Sequence, residues 1–290
     1  MKSSVVIIYN PAARSASGKK MERAESFLRS KGFLPEVLMT EKRGHAQHLA
    51  VSALEKTPGM IIAAGGDGTI NEIMNGMAGS DIPLAILPLG TTNVLARELD
   101  IPPDVHGALQ RALTGDPKSV SLGRIEGAEF SRYFCLMAGV GFDGRAVRGV
   151  NASLKKLSGK AAYILSGVKN FFLYSPDDIP LSIGGSRYQC STAVIGKSRK
   201  YGGNFEVTPD ATLLEPALYA CLFQGTTRAD LLRYVFGVVR GRHLSYRDVV
   251  YLKSEYIEIY GDAHIQVDGD YLGVAPARIS VVKDVMKIIW

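Results

Sequence analysis

Met60-Ile61-Ile62-Ala63-Ala64-Gly65-Gly66-Asp67-Gly68-Thr69-Ile70-Asn71-Glu72 is the stretch on which the reading of this chain turns. Met60 to Ala64 is a short apolar run of the kind a buried strand makes. Gly65 and Gly66 turn the chain, and Ile70 to Met77 reads as a helix. Glycines let a backbone come close to a phosphate, and the start of a helix offers unpaired N–H groups to an anion. Asp67 sets a carboxylate beside that anion. It would repel phosphate unless a cation mediates or the acid handles a proton. The turn therefore points to phosphoryl transfer rather than to passive binding. Ordinary loops also contain Gly-Gly-Asp-Gly. The buried strand before it, with Thr69 and Asn71 ready to cap a helix, favours a ligand site at Gly65, Gly66, Asp67, Gly68, Thr69, Ile70 and Asn71.

Outward from this turn, the first third of the chain alternates strand and helix. Val5 to Tyr9 is another continuous apolar run, as in a buried parallel strand. Lys19 to Lys31 has Met21, Ala24, Phe27 and Leu28 at helical spacing and stops at Gly32. Pro35 to Met39 reads as a strand, Ala46 to Leu54 as a helix, Ala85 to Leu87 as a strand and Val94 to Leu99 as a helix. Such alternation means a doubly wound parallel sheet with ligands at the carboxyl ends of its strands. Asn10, Thr40, Asp67 and Thr91 each follow a predicted strand, so all four fall on one rim.

After about Asp116 the pattern changes to strands separated by turn residues. They are Ser119–Ile125, Arg132–Met137, Tyr188–Ile195, Ala217–Phe223, Val249–Leu252, Tyr256–Tyr260, Ala263–Val267, Arg278–Val282 and Val285–Ile289. Helical stretches at Gly159–Phe172 and Arg228–Arg240 interrupt them. The expected organisation is α/β plus β. An α/β domain spans residues 1–116. A β-sandwich-like domain spans 117–290, its last strands returning to the first, with an active cleft between the two.

Composition agrees with a globular chain. Of 290 residues 46% are hydrophobic and 21% charged. The 34 basic and 28 acidic side chains leave +6, a mild excess suited to an anionic partner but without the clustered tail typical of nucleic-acid binding. Cys135, Cys190 and Cys221 lack metal or redox spacing and read as reduced core thiols of a cytosolic protein. The apolar run near the N-terminus is too short for a signal peptide, and no run reaches membrane-spanning length.

Four further stretches bear on chemistry. Pro88-Leu89-Gly90-Thr91-Thr92-Asn93-Val94-Leu95-Ala96-Arg97 is a second phosphate-type loop in which Gly90, Thr91 and Thr92 would meet an anion, or else a well-capped helix start. Asn10 to Gly18 is a polar loop whose Arg14 suits forked pairing with phosphate. Val267-Asp268-Gly269-Asp270-Tyr271 is a hairpin turn by its Asp-Gly, or a source of a catalytic base at Asp270. Gly139-Val140-Gly141-Phe142-Asp143-Gly144 imitates a dinucleotide fingerprint but lacks its final glycine, and reads as a tight connection. Glu41, His45 and His48 read as solvated helix polars rather than a metal site. Lys169 to Tyr174, with Arg233, Arg240, Arg242 and Arg247, reads either as core aromatics or as a membrane-docking surface.

Taken together, Asn10-Pro11, Thr40, Gly65 to Thr69 with Asn71-Glu72, Pro88 to Arg97, Gly139 to Asp143 and Asp268-Gly269-Asp270 resemble the bacterial diacylglycerol kinase catalytic family. These are lipid kinases related to sphingosine kinases. The glycine turn alone also looks like NAD kinases, whereas the Pro88–Arg97 run looks like the lipid kinases. The resemblance implies ATP and Mg²⁺ as cofactors, with ATP contacts at Thr40, Gly65 through Asn71 and Thr91. It implies a lipid kinase of the cytosol acting on a lipid hydroxyl at the inner face of the membrane, in phospholipid metabolism. Nucleic acid is not an expected partner, and a homodimer is compatible with the sequence. Two departures stand out. The family usually ends its Asp-Gly-Glu turn with a Glu that looks like the base, where this chain has Asp270. The family's structural magnesium site uses Asp-Gly-x-Leu, where this chain has Glu215-Pro216-Ala217-Leu218. Magnesium there would use Glu215 with the carbonyls of Thr212 and Ala217, or be absent. A small-molecule kinase such as a NAD kinase, and a nucleotide- or lipid-binding regulator with weakened catalysis, are the alternatives.

Overall fold

The computed structural model describes residues 4–148 and 178–290. The chain divides into two compact units, Met1–Ser121 with Lys283–Trp290, and Leu122–Val282. The expected helix at 159–172 and the aromatic run at 169–174 lie outside the described residues.

The first unit is built on β1 (Ser4–Tyr9), β2 (Leu34–Met39), β3 (Met60–Gly65) and β4 (Leu84–Pro88), with α1 (Gly18–Ser30), α2 (His45–Glu55), α3 (Asp67–Met77), α4 (Val94–Glu98) and α5 (Val105–Thr114). β1 pairs in parallel with β2 and β3, and β3 with β4. All six residues of β3 and all five of β4 are buried, which explains their unbroken apolar runs. α1 starts where the Ser17 side chain accepts from Lys20 N, and it buries Met21, Ala24 and Leu28. α5 is a helix the apolar pattern did not announce. Its signal is Asp104, whose carboxylate accepts from Gly107 N at 2.8 Å, ahead of the buried face Ala108, Leu109 and Ala112.

β5 (Pro117–Gly127) runs from the first unit into the second. The second unit continues with β6 (Ser131–Phe134), β7 (Met137–Gly141), α6 (Phe142–Arg148), β8 (Ile179–Ile183), β9 (Ser186–Cys190) and β10 (Thr192–Gly196). Next come the short β11 (Lys200–Tyr201) and β12 (Phe205–Glu206), β13 (Leu218–Phe223), the helix Arg228–Val239, β14 (Val249–Ser254), β15 (Tyr256–Ile259), β16 (His264–Val267), β17 (Asp270–Val274) and β18 (Ala277–Ile289). Its pairings are antiparallel. One sheet runs β14-β13-β10-β7-β16-β17, and the other joins β9, β8, β15 and the first half of β18, with β6 on β5. A single apolar core joins their inner faces, with Phe134, Leu181, Ile257 and Ile279 from one sheet and Val140, Ile195, Leu222 and Ile265 from the other. This is a β-sandwich-like arrangement.

Four expectations from sequence need correction. Tyr188–Ile195 is two strands in different sheets, because Ser191 breaks the run and bonds through N and Oγ to Phe223 O. Arg132–Met137 is also two strands, interrupted where the backbone of residues 135–137 turns its N–H groups to Asp268. Conversely, Arg278–Val282 and Val285–Ile289 are one strand, β18, bent at Asp284 with φ 48°. Its last residues belong to the first unit, where Ile288 pairs in parallel with Leu84 of β4. The tight connection read at Gly139–Gly144 is the end of β7 followed by α6.

Within the first unit, Glu72 on α3 caps α2. Its carboxylate accepts from Gly44 N at 2.8 Å and Ala46 N at 3.2 Å. Gly44, the residue before α2, has no side chain for the task. Glu72→Ala leaves two N–H groups at a helix start without their acceptor. It should lower stability by about 1–2 kcal/mol in urea denaturation, with Glu72→Gln losing less.

Candidate active site

At the carboxyl ends of β1, β3 and β4 three loops are tied to one another. Asn10 N donates to Ala64 O at 2.9 Å, and Asn10 Nδ2 donates to Thr69 Oγ1 at 2.9 Å. Leu89 N donates to Gly65 O at 2.8 Å, and Ser15 N to Leu89 O at 2.9 Å. Thr40, after β2, is buried, and its N–H donates to Tyr9 O at 2.9 Å.

The closest approach is glycine to glycine. A Cβ on Gly90 would stand 2.6 Å from Gly66 Cα, and one on Gly66 would stand 3.1 Å from Gly90 Cα. Asn93 braces this approach. It adopts the left-handed conformation, accepts from Gly90 N at 2.8 Å through Oδ1 and donates to Gly90 O at 3.2 Å through Nδ2. Gly90, Thr91 and Thr92 are the residues expected here from sequence, and Asn93 has no assigned role. The side chain of Asn93 is turned to Gly90, so α4 takes its cap from elsewhere.

That cap is Asp67. Its carboxylate accepts from Leu95 N at 3.1 Å and also meets the N–H groups of Asn93 and Val94. Desolvation raises its carboxyl above the ordinary value, against the lowering effect of these backbone donors. Asp67 thus opens α3 and closes the start of α4, joining both glycine loops through one charge. Gly68 and Thr91 face outward, and a Cβ on Gly68 would meet nothing within 4 Å. Arg14 is exposed on its loop. Ile70 and Asn71 are buried in α3, where Asn71 Oδ1 accepts from Asn75 Nδ2 at 3.2 Å. Asn71 and Ile70 thus lie within α3, behind the turn.

The second unit has its own polar centre. Asp268 and Gly269 form the two-residue turn between β16 and β17, with φ 48° and 84°. Two successive positive φ values make a type I′ hairpin, which Asp-Gly supplies readily. The Asp268 carboxylate accepts from Cys135 N at 3.1 Å, Leu136 N at 3.0 Å and Met137 N at 2.9 Å. Gly269 N donates to Gln266 Oε1 at 2.8 Å, and Gln266 Nε2 donates to Asp143 Oδ2 at 2.6 Å. Burial raises the Asp143 carboxyl, while hydrogen bonds from Tyr201 and Gln266 lower it. Asp270 opens β17 with the Arg132 guanidinium 3.6 Å away. The Gly139–Gly144 segment and the Asp-Gly-Asp turn are thus one connected network. No spacing in the sequence announced the roles of Asp268, Gln266 and Arg132.

The residues proposed for magnesium have other partners. The Thr212 carbonyl accepts from Lys197 Nζ at 2.5 Å, and the Glu215 carbonyl accepts from the same ammonium at 2.8 Å. The Glu215 carboxylate accepts from Tyr219 OH at 2.8 Å and pairs with Lys253. Those bonds hold its carboxyl below the ordinary value. Ala217 N donates to Glu215 O at 2.9 Å. Burial pushes Lys197 down to about 8. With an ammonium on the Thr212 carbonyl and the Glu215 carboxylate paired with Lys253, the set does not fit Mg²⁺, which needs near-octahedral oxygen ligands at about 2.0–2.1 Å.

Residues 4–125 match the family model of the diacylglycerol kinase catalytic domain. Residues 137–290 match that of the YegS C-terminal NAD kinase beta sandwich-like domain. A diacylglycerol kinase of Staphylococcus aureus (strain JH9) is 30% identical over 289 residues, covering 96% of this chain and 89% of that protein. One from Bacillus subtilis (strain 168) is 29% identical over 280 residues, covering 94% and 91%. A crystal structure of a diacylglycerol kinase from Bacillus anthracis str. Sterne superposes with a TM-score of 0.80 at 20% identity, covering 100% of this chain and 97% of that one. The family models and the named relatives indicate a kinase. The chain belongs to the diacylglycerol kinase family of lipid kinases.

The glycine contact is directly testable. Gly90→Ala puts a methyl into the Gly66 backbone and should cost about 1–3 kcal/mol in denaturant unfolding. Gly68→Ala, whose methyl meets open space, should change stability by less than about 0.5 kcal/mol.

Proposed function

We propose that this chain is an ATP-dependent kinase that phosphorylates a hydroxyl of diacylglycerol or a related lipid. The observation that carries the reading is the joined pair of glycine loops at the carboxyl ends of β3 and β4, tied through Asp67. Loops of this kind offer backbone N–H groups to a polyphosphate, and Thr91, Thr92, Thr40, Asn10 and Arg14 are the polar groups on the same rim. Mg²⁺ bound with the nucleotide would offset charge on the transferring group.

In this reading the two glycine loops hold the phosphates in place for in-line transfer. Asp67, desolvated and anchored by backbone donors, orients the charge at the phosphate end. Asp270 accepts the proton of the attacking lipid hydroxyl, and Arg132 keeps that carboxylate oriented. The turn at Asp268-Gly269 sets the direction of Asp270 where β17 begins. Most of the rate gain comes from positioning and charge stabilisation.

A membrane encounter is supported by the helix Arg228–Val239. Leu232, Val235, Phe236 and Val239 lie on one face of it and are 44–53% exposed. Arg240 lies over the Phe236 ring at 5.5 Å, and Arg242 follows on the exposed surface. Apolar side chains edged by arginine suit an anionic bilayer surface. Arg233, by contrast, is engaged by Asp230 and Asp248. No helix among the described residues is long and apolar enough to cross a membrane.

Incubation with labelled ATP and, in separate reactions, mixed lipids or NAD tests the assignment. Label in lipid is expected, and label in NAD instead would move the chain to the small-molecule kinases. Asp67→Asn keeps an acceptor oxygen for Leu95 N but removes the charge. It should stay folded and lose at least about 100-fold in turnover, whereas near-normal turnover removes Asp67 from the chemistry. Asp270→Glu should retain or raise activity, and Asp270→Asn should lose about 100-fold or more. Equal rates in all three would leave Asp270 a turn residue. Phe236→Glu should weaken sedimentation with anionic vesicles without changing the unfolding midpoint, and unchanged sedimentation would remove this helix from the membrane contact.

A further inference from the structure

We infer that the Lys197 ammonium is a built-in cation that takes the place of a structural divalent metal in this chain. The inference rests on membership of the family for the expectation of a metal, and on the donor geometry for its replacement. Lys197 follows β10 and is fully buried. A buried ammonium must find acceptors, and this one donates to the carbonyl oxygens of Thr212 and Glu215. Both belong to the segment between β12 and β13, which has no regular structure of its own to satisfy its carbonyls. Gathering the carbonyls of an irregular loop is what a bound metal does in such a segment, and here a side chain does it. The carboxylate that would complete a metal site is instead turned to Tyr219 and Lys253. A divalent ion sharing these carbonyls would also stand against a positive charge at contact distance, which forbids joint occupancy.

The same lysine reaches the Asp-Gly-Asp turn through one residue. Lys197 N and Ser198 N donate to Leu136 O at 2.8 and 3.1 Å, while Leu136 N donates to Asp268 Oδ1 at 3.0 Å. The ammonium holds the carbonyls of Thr212 and Glu215, while the main chain at residues 197 and 198 holds the strand break supporting Asp268. The departure at Glu215-Pro216 and the presence of Lys197 are two halves of one substitution, a metal and its carboxylate ligand exchanged for an ammonium.

The test uses the full-length protein with Mg²⁺ alone as probe, and no nucleotide or lipid. After gel filtration from excess Mg²⁺, elemental analysis should find less than about 0.1 Mg²⁺ per chain, and the melting midpoint should differ by less than about 1 °C between EDTA and Mg²⁺. One Mg²⁺ retained per chain, or a midpoint several degrees higher in Mg²⁺, overturns the inference. Lys197→Met keeps the length of the side chain but removes the ammonium from both carbonyls, leaving Glu215 O with its bond from Ala217 N. Its midpoint should fall by roughly 3 °C or more, equally in EDTA and in Mg²⁺. A Lys197→Met variant as stable as the unaltered chain overturns the role of the charge. Should that variant not fold, the metal content and melting of the unaltered chain decide alone. None of these readouts involves phosphate transfer, so their outcome is separate from that of the kinase assay.

Discussion

Two backbones meet at Gly66 and Gly90 with no room for a side chain on Gly90, and the arrangement of the first unit's rim follows from that contact. Bringing main chain against main chain is possible because neither residue carries a Cβ. Such an arrangement needs braces, since adjoining amide dipoles do not attract one another by themselves. Asn93 braces one loop from within, and Asp67 braces one loop to the next helix. The Asp67 carboxylate stabilises α4 through donors that would otherwise lack partners, and desolvation keeps its pKa raised all the same.

In the second unit a comparable constraint is met by Asp268. A carboxylate accepting three successive N–H groups is fully served, and it imposes a break on what is otherwise a continuous strand pattern through residues 132–141. Gln266 and Asp143 extend the network into the sheet, so a set of polar side chains lies within an apolar sandwich with its hydrogen bonds made. The turn conformation and the network both act on the neighbouring residue Asp270. The direction of its side chain is therefore set by the hairpin and by Arg132 together.

Lys197 belongs to this same logic. Irregular segments in a packed domain leave carbonyls to be satisfied, and the chain meets that need with a covalently attached ammonium. A side-chain cation carries a desolvation cost, visible in its lowered pKa, but it needs no ligand to be captured from solution.

Much of the fold was legible in the residues because it is local. Buried parallel strands are continuous apolar runs, and the Val5–Tyr9, Met60–Ala64 and Ala85–Leu87 runs lie inside the strands observed. The placement of Asn10, Thr40, Asp67 and Thr91 on one rim also followed from strand-to-helix alternation. Periodicity could not separate β9 from β10 at Ser191, or β6 from β7 at Cys135–Leu136, because both breaks are made by partners far away in the chain. For the same reason the spacing of residues could not assign Asn93 to Gly90, Asp67 to α4, Glu72 to α2 or Lys197 to the carbonyls of Thr212 and Glu215. Hydrophobic pattern and turn chemistry act between near neighbours, so the residues alone determined the class of fold, its glycine-rich loops and its family resemblance. Hydrogen-bond partnership acts across distant segments at about 3 Å, so only the tertiary structure decided which charged groups brace the loops and which one stands where a metal was expected.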